Sequence, residues 1–295
     1  PLFPALAAVA GNCVRFAHAR SACRARARVT SLDRDAIGIF DSGVGGLTVM
    51  HRLMEALPGE NLVYLGDTGR TPYGTKSAET VTQYAIENAE FLLGKGMKLL
   101  VVACNTMSAV ALDAVRRRCD VPVVGVIDPG AKAAIERTRS GRVGVIGTEA
   151  TIASGAYTRA LRSLRPKLEI YTRACPLFVP LAEEGWTDNE VASATVAVYL
   201  ESLRRSGIDV LILGCTHYPL LRGVIAAFLG ADVALIDSAE ETAREVAEIL
   251  AAGGSDRAPG QGSTSFFVTD APDRFVKVGR RFLGERVESA VRIER

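Results

Sequence analysis

The sequence lacks the marks of several large protein classes. No apolar run approaches the roughly 20 residues that a membrane-spanning helix needs, so no membrane segment is expected. No C-x-x-C pair and no His/Cys cluster occurs. The six cysteines (Cys13, Cys23, Cys104, Cys119, Cys175, Cys215) are scattered, and the three histidines (His18, His51, His217) stand far apart, so no metal site is expected. In a chain of 295 residues this spacing points to reduced thiols in a cytoplasmic compartment rather than to a disulfide framework. The body also lacks a basic excess. The formal net charge is +2, but residues 1–36 hold six arginines against Asp33 and Asp35, a net of +4, which leaves −2 for the remainder. A nucleic-acid surface is therefore not expected there. The glycine-rich Gly43-Val44-Gly45-Gly46 is not a dinucleotide fingerprint, because the third glycine would fall at Thr48. It is not a P-loop either, since no Gly-Lys-Ser/Thr follows.

What is present is a soluble globular composition, 48% hydrophobic and 23% charged, long enough for two domains of roughly 100–150 residues each. Residues 1–35 differ from the rest: a mildly apolar start precedes the arginines, the reverse of a secretory signal. They are read as an Arg-rich extension, either incidental or a regulatory arm whose guanidiniums meet an anionic effector. Strands and helices then alternate. Ala36–Asp41, Asn61–Gly66, Lys98–Ala103 and Val121–Ile127 read as strands, with helices over Leu47–Leu57, Ser77–Gly94 and Thr106–Arg118. The pattern restarts with strands at Arg142–Thr148, Leu168–Ala174, Val210–Gly214 and Val233–Asp237, and helices near Tyr157, from Asp188 and from Tyr218. Glu240–Ala252, a strand at Ser265–Thr269 and a helix at Asp273–Leu283 complete it, with a flexible Gly253-Gly254-Ser255 stretch between them. This predicts an α/β fold of two similar parallel-sheet domains related by a pseudo-two-fold, because Asp41 and Gly147 lie 106 residues apart and Cys104 and Cys215 lie 111 apart. Ligands of such sheets sit at the carboxyl ends of strands, which places the active site in the cleft between the domains.

Two segments end alike at that edge, Leu99–Thr106 in Cys-Asn-Thr and Val210–His217 in Cys-Thr-His. A cysteine between a buried strand and a helix sits where the helix dipole favours thiolate, so both Cys104 and Cys215 are expected to have lowered pKa values. His217 adjoins Cys215, and Asp41 ends the strand beside Cys104; both can move protons. The Ser42–Gly46 turn offers N–H groups suited to a carboxylate or serves only as a tight turn. Cys119 and Cys175 are read as structural. Two facing thiols can remove a proton from one face of a tetrahedral carbon and return one to the other, general acid–base catalysis that needs no cofactor. The donors of Ser42, Asn105, Thr106 and Thr216 suit the carbanion and its carboxylate. The rivals are a relative acting on aspartate or a hydantoin, a thiol hydrolase using Cys215 with His217, and a binding module without turnover.

The runs IGIFDSGVGGLTV, LGDTGRTPYG, VVACNTMSAVAL, ACPLFVPLAEEG and LILGCTHYPLL together resemble the glutamate racemases of the aspartate/glutamate racemase superfamily, in order and spacing from about Ile37 to Leu250. The resemblance implies cofactor-independent interconversion of L- and D-glutamate, supplying D-glutamate for peptidoglycan precursors. It implies Cys104 and Cys215 as the acid/base pair, with Asp41, Glu183 and His217 assisting. It assigns substrate contacts to Asp41, Ser42, Tyr73, Gly74, Asn105, Thr106, Thr148, Thr216 and His217, with no metal. It also implies a homodimer, and, from members with an N-terminal extension, a nucleotide-sugar precursor as activator. The family layout predicts residues 36–129 plus 240–295 as the first domain and 130–239 as the second. Gly69 stands where the family usually has alanine, which removes no chemical group.

Overall fold

Short strands that are apolar without alternation need cover on both faces, and helical crossovers supply it. The computed structural model, which describes residues 36–253, 260 and 262–294, contains two sheets in which every strand pairing is parallel. The first sheet begins with β1 (Ala36–Asp41), β2 (Asn61–Gly66), β3 (Met97–Val102) and β4 (Val123–Gly125). Helices α1 (Leu47–Ala56), α2 (Ala78–Leu93), α3 (Asn105–Val110) and α4 (Leu112–Arg118) connect them, and α5 (Ile127–Arg137) leads away. The second sheet comprises β5 (Arg142–Gly147), β6 (Glu169–Ala174), β7 (Val210–Gly214) and β8 (Ala234–Asp237). Its helices are α6 (Glu149–Ser154), α7 (Ala156–Leu164), α8 (Phe178–Glu184), α9 (Glu190–Arg205) and α10 (Arg222–Leu229). The chain then returns. Helix α11 (Ser238–Ala252) packs on α1, and β9 (Thr264–Val268) and β10 (Val291–Arg292) extend the first sheet, with α12 (Pro272–Leu283) between them.

The strand orders are β10-β9-β2-β1-β3-β4 and β6-β5-β7-β8. The β2-β1-β3-β4 set is thus repeated strand for strand in the second sheet, which gives the two similar α/β units expected from the sequence. Along each strand, neighbouring residues feed opposite faces. Ile37, Ile39, Leu99 and Val101 belong to one apolar cluster, and Phe40, Leu65, Leu100 and Val102 to another. The second sheet does the same: Leu211 and Leu213 fill one cluster, Val143, Val145, Val210 and Ile212 the other.

The local differences from the sequence reading have physical causes. The helix expected over Thr106–Arg118 breaks at Ala111, and the one expected from Tyr218 starts as a 3-10 turn, Tyr218–Leu221. The strand read over Val121–Ile127 keeps only Val123–Gly125, because Ile127 already opens α5. Helices α5 and α8 were masked by Pro129 and Pro180. Both prolines sit in the first turn, where no intrahelical N–H bond is needed. Asn189 rather than Asp188 caps α9, accepting the Ala192 amide at 2.9 Å. The N-terminal extension with Cys13 and Cys23, and Gly254 and Ser255, lie outside the described residues.

Candidate active site

The strand registers set the two cysteines. Phe40 pairs with Val102, and the Ala103 amide still bonds the Phe40 carbonyl at 3.0 Å, so Cys104 is the first residue past the ladder. In the other sheet Gly147 pairs with Gly214, and Cys215 follows. Both thiols are buried, at 6% and 7% exposure. The chain turns helically after each, but the turns are short. Helix α3 has six residues, and Cys215 is followed by the 3-10 turn.

On the Cys104 side, Sγ lies 3.7 Å from the Ser42 hydroxyl oxygen. Asp41 beside it is fully buried. Its Oδ2 accepts the Gly43 amide at 3.0 Å, while Oδ1 has no hydrogen-bond partner among the described residues. Burial pushes the Asp41 carboxyl above its ordinary range, opposed by the His217 charge and by the amides of Gly43, Gly46 and Ser42. The glycine-rich turn therefore directs its N–H groups at the protein's own carboxylate. Burial, followed by the Asp41 charge, pushes the Cys104 thiol up to about 12, against bonds from the Met107 amide and the Ser42 hydroxyl. The expectation of a lowered Cys104 pKa is overturned: six residues of helix do not offset the loss of solvent. A charge on Cys215 adds to the same upward push, so the two sulfurs share one electrostatic neighbourhood.

The Cys215 side is chemically different. Its sulfur lies 3.8 Å from His217 Nδ1, and His217 Nε2 lies 3.2 Å from Glu183 Oε1 on α8. Burial works to lower the His217 pKa, but hydrogen bonds to Cys215 and Glu183, reinforced by their charges, win and push it up to about 10. The hydrogen bond from His217, ahead of burial, holds the Glu183 carboxyl below its usual range. This side therefore sets an imidazole biased toward its protonated form between a sulfur and a carboxylate.

Polar groups of both units meet around the thiols. Thr106 Oγ1 lies 3.0 Å from Thr148 Oγ1 and 3.2 Å from Thr151 Oγ1, and the last two are 2.9 Å apart. Thr151 belongs to this hydroxyl group although sequence reasoning passed over it. The available signal was its place three residues after Thr148, where its amide meets the capping hydroxyl of Thr148 at 3.2 Å. Asn105 Oδ1 accepts the Tyr157 hydroxyl at 2.7 Å, and buried Asn105 Nδ2 has no partner among the described residues. Gly74 approaches the other unit: its carbonyl accepts the Ala150 amide at 3.1 Å, and a Cβ there would lie 2.9 Å from Thr148 Cβ. The Tyr73 hydroxyl, by contrast, donates to the Asp67 carboxylate within the first unit. Thr216 is tied across the units through its carbonyl, which accepts the Thr48 hydroxyl at 3.2 Å. Cys175 is buried, and burial pushes its thiol up to about 12; Cys119 is half-buried at the end of α4.

A family model described as Asp/Glu/Hydantoin racemase matches residues 37–246. The glutamate racemase of Geobacter metallireducens is 60% identical over 253 residues, covering 85% of this chain and 94% of that protein. Among solved structures, a glutamate racemase from Bacillus anthracis aligns with a TM-score of 0.86 at 42% identity, covering 89% of this chain and 98% of that one. One from Francisella tularensis, solved in complex with D-glutamate, aligns with a TM-score of 0.83 at 37% identity over the same shares, 89% and 98%.

Proposed function

This chain belongs to the Asp/Glu/Hydantoin racemase family, and we propose that it interconverts L- and D-glutamate by moving one proton between two thiols. The observation that carries the reading is the equivalent placement of Cys104 and Cys215, two residues past β3 and one residue past β7, the corresponding central strands of a repeated sheet. One sulfur, as thiolate, takes the α-proton; the Cα–H bond breaks and an S–H bond forms. The other sulfur gives its proton to the opposite face of the carbanion. Asp41 serves Cys104 as proton acceptor. His217, held by Glu183, serves Cys215 as proton donor. The α-carboxylate and the developing charge meet the donors of Ser42, Asn105, Thr106, Thr148 and Thr216, with Gly74 and the backbone of Tyr73 closing the pocket. The working domains are residues 36–129 with 240–295, and 130–239, with the substrate between them. The product feeds peptidoglycan precursors in the cytoplasm, and the active species is a homodimer. A nucleotide-sugar precursor is the effector to be tested at the arginines of residues 1–35, which the sequence leaves open between a regulatory arm and an incidental extension.

The test is incubation with L-glutamate in heavy water. D-glutamate carrying α-deuterium is expected, and Cys104→Ala and Cys215→Ala each abolish its formation, to below about 1% of the parent rate. No circular-dichroism change with glutamate refutes the substrate assignment, and inversion of aspartate instead reassigns it. Full rate in either variant removes the two-thiol mechanism.

A further inference from the structure

The unexpected neighbour of the Cys215 group is helix α12, which the proposed mechanism does not use. It follows β9 and so belongs with the six-stranded sheet, whereas Glu183 and His217 sit on elements of the other sheet. Yet α12 packs against α8 and touches both members of the pair. Arg274 Nη2 lies 3.6 Å from Glu183 Oε2, the carboxylate oxygen that does not face His217. The Phe282 ring meets the His217 imidazole edge-on, with centroids 5.6 Å apart at 88°. One helix therefore bears on the carboxylate from behind and on the imidazole from the side.

We propose that Arg274 is a positioning residue: reaching from α12 across the cleft, it pins one oxygen of Glu183 so that the other meets His217, and the Cys215 group is complete only while the two units are closed. The proposal rests on the racemase reading for its consequence in turnover, but not for the geometry itself. An ion pair at the far oxygen restricts the carboxylate's rotamer and keeps the near oxygen on His217, which favours charge on the imidazole. The arginine's own charge works the other way, by offsetting the carboxylate, so the positioning effect is the one that must win. Opening the cleft would withdraw Arg274 from Glu183, since they belong to different units.

Among the described residues the charged groups around the pair are few. Arg281 on the same helix lies over Gly185, where a Cβ would be 3.2 Å from its Nε, and its charge also acts on Glu183. Asp270, just before α12, lines the same cavity of about 170 Å³ as Glu183, His217 and Arg274. From the first unit the Asp41 carboxylate faces His217, and Cys215 faces it from its own turn. Among these, Arg274 is the cation paired with the free Glu183 oxygen.

The experiment follows the His217 imidazole by NMR titration in the full chain, its resonance identified by its loss in His217→Asn. The wild-type midpoint is expected at about 10. In Arg274→Gln it falls by about half a pH unit, because the loss of the aligned Glu183 oxygen outweighs the relief from a cation that is 72% exposed and screened by solvent; a rise marks Arg274 as a nearby charge alone and overturns the proposal. In Arg274→Lys the midpoint is restored. In turnover, kcat/KM falls about three- to tenfold in Arg274→Gln, and its alkaline limb moves to lower pH in step with the imidazole. An unchanged His217 midpoint in Arg274→Gln overturns the proposal. So does a loss of activity that is uniform in pH and not rescued by lysine. If the wild type turns over no glutamate, the racemase reading fails, while the imidazole titration still decides the role of Arg274.

Discussion

Gly45→Ala tests whether the two units must touch as closely as they do. A Cβ on Gly45 would stand 2.4 Å from both His217 Cε1 and Thr216 Oγ1. Gly45 is not in the left-handed region, so the substitution carries no backbone strain of its own. The cost is purely steric. Ordinary contact near 3.4 Å requires a displacement of about 1 Å, either of the His217 ring away from Cys215 or of one whole unit from the other. Neither partner is the loose end of a long side chain. His217 is held by Cys215, Glu183 and Phe282, and Thr216 is β-branched on a buried turn. Overpacking of this kind costs about 1–3 kcal/mol of stability. A misplacement of about 1 Å at reacting groups costs on the order of 100-fold in rate. Activity is thus expected to suffer far more than folding. The assay is kcat/KM for glutamate by polarimetry or circular dichroism, beside the melting temperature. Gly43→Ala is the control from the same turn, since a Cβ there would lie 3.6 Å from Thr71 Oγ1 and 3.8 Å from Thr71 Cβ, both ordinary contacts. It should stay within about threefold of the parent. Parent-like kcat/KM in Gly45→Ala, or equal damage from both substitutions, would refute the argument.

Thr151→Val keeps shape but deletes the hydroxyl that meets Thr106 and Thr148. A stability loss of about 1 kcal/mol is expected, with KM raised about tenfold while kcat changes less; an unchanged KM would place Thr151 outside the substrate's reach. The second expectation concerns alkaline pH. The folded His217 pKa is raised from 6.5 to about 10, so its contribution to stability is complete below pH 6.5 and is lost as pH rises through about 10. The melting temperature should therefore decline between pH 7 and pH 10 in the parent, and less steeply in His217→Asn; parallel declines would show that His217 is not the group responsible.

Much of this site was legible because it lies where parallel sheets put chemistry. Cys104 and Cys215 follow unbroken apolar runs, and the recurrence of that pattern 111 residues apart identified both sheets from one comparison. Glu183 was visible only through the LAEEG run, because nothing local joins it to His217, 34 residues later; the bond is made by α8 packing beside the turn after β7. Thr151 was hidden by its ordinary place in a helix cap. The ionisation of Cys104 was misread because a sequence displays the helix dipole but not the solvent that burial removes. The role of α12 was unreadable for a topological reason. Arg274 is 91 residues from Glu183, and only the return of the chain to the first sheet brings them together.

The unlike surroundings of the two thiols bear on how they serve a symmetric reaction. Enantiomers have equal free energies, so kcat/KM must be equal in the two directions whatever the site contains. On the proposed mechanism each turnover moves a proton from one sulfur to the other, and the free enzyme must work from both protonation states. The Cys104 thiol, pushed to about 12, resists giving up its proton to water. On the proposed mechanism its acceptor is Asp41, whose proton affinity burial has raised. A matched donor and acceptor need not be acidic in absolute terms; they need similar affinities inside the site. On the other side, the imidazolium of His217 keeps a proton within reach of Cys215. On the proposed mechanism one half would work by raising the proton affinity of the acceptor, the other by holding a proton ready. The same burial that makes Cys104 a poor thiolate makes Asp41 a good base for it, so the two shifts oppose each other at the level of the pair. Equal kcat/KM in the two directions follows from the substrate, and the repeat in the fold supplies only the placement of the sulfurs, not their chemistry.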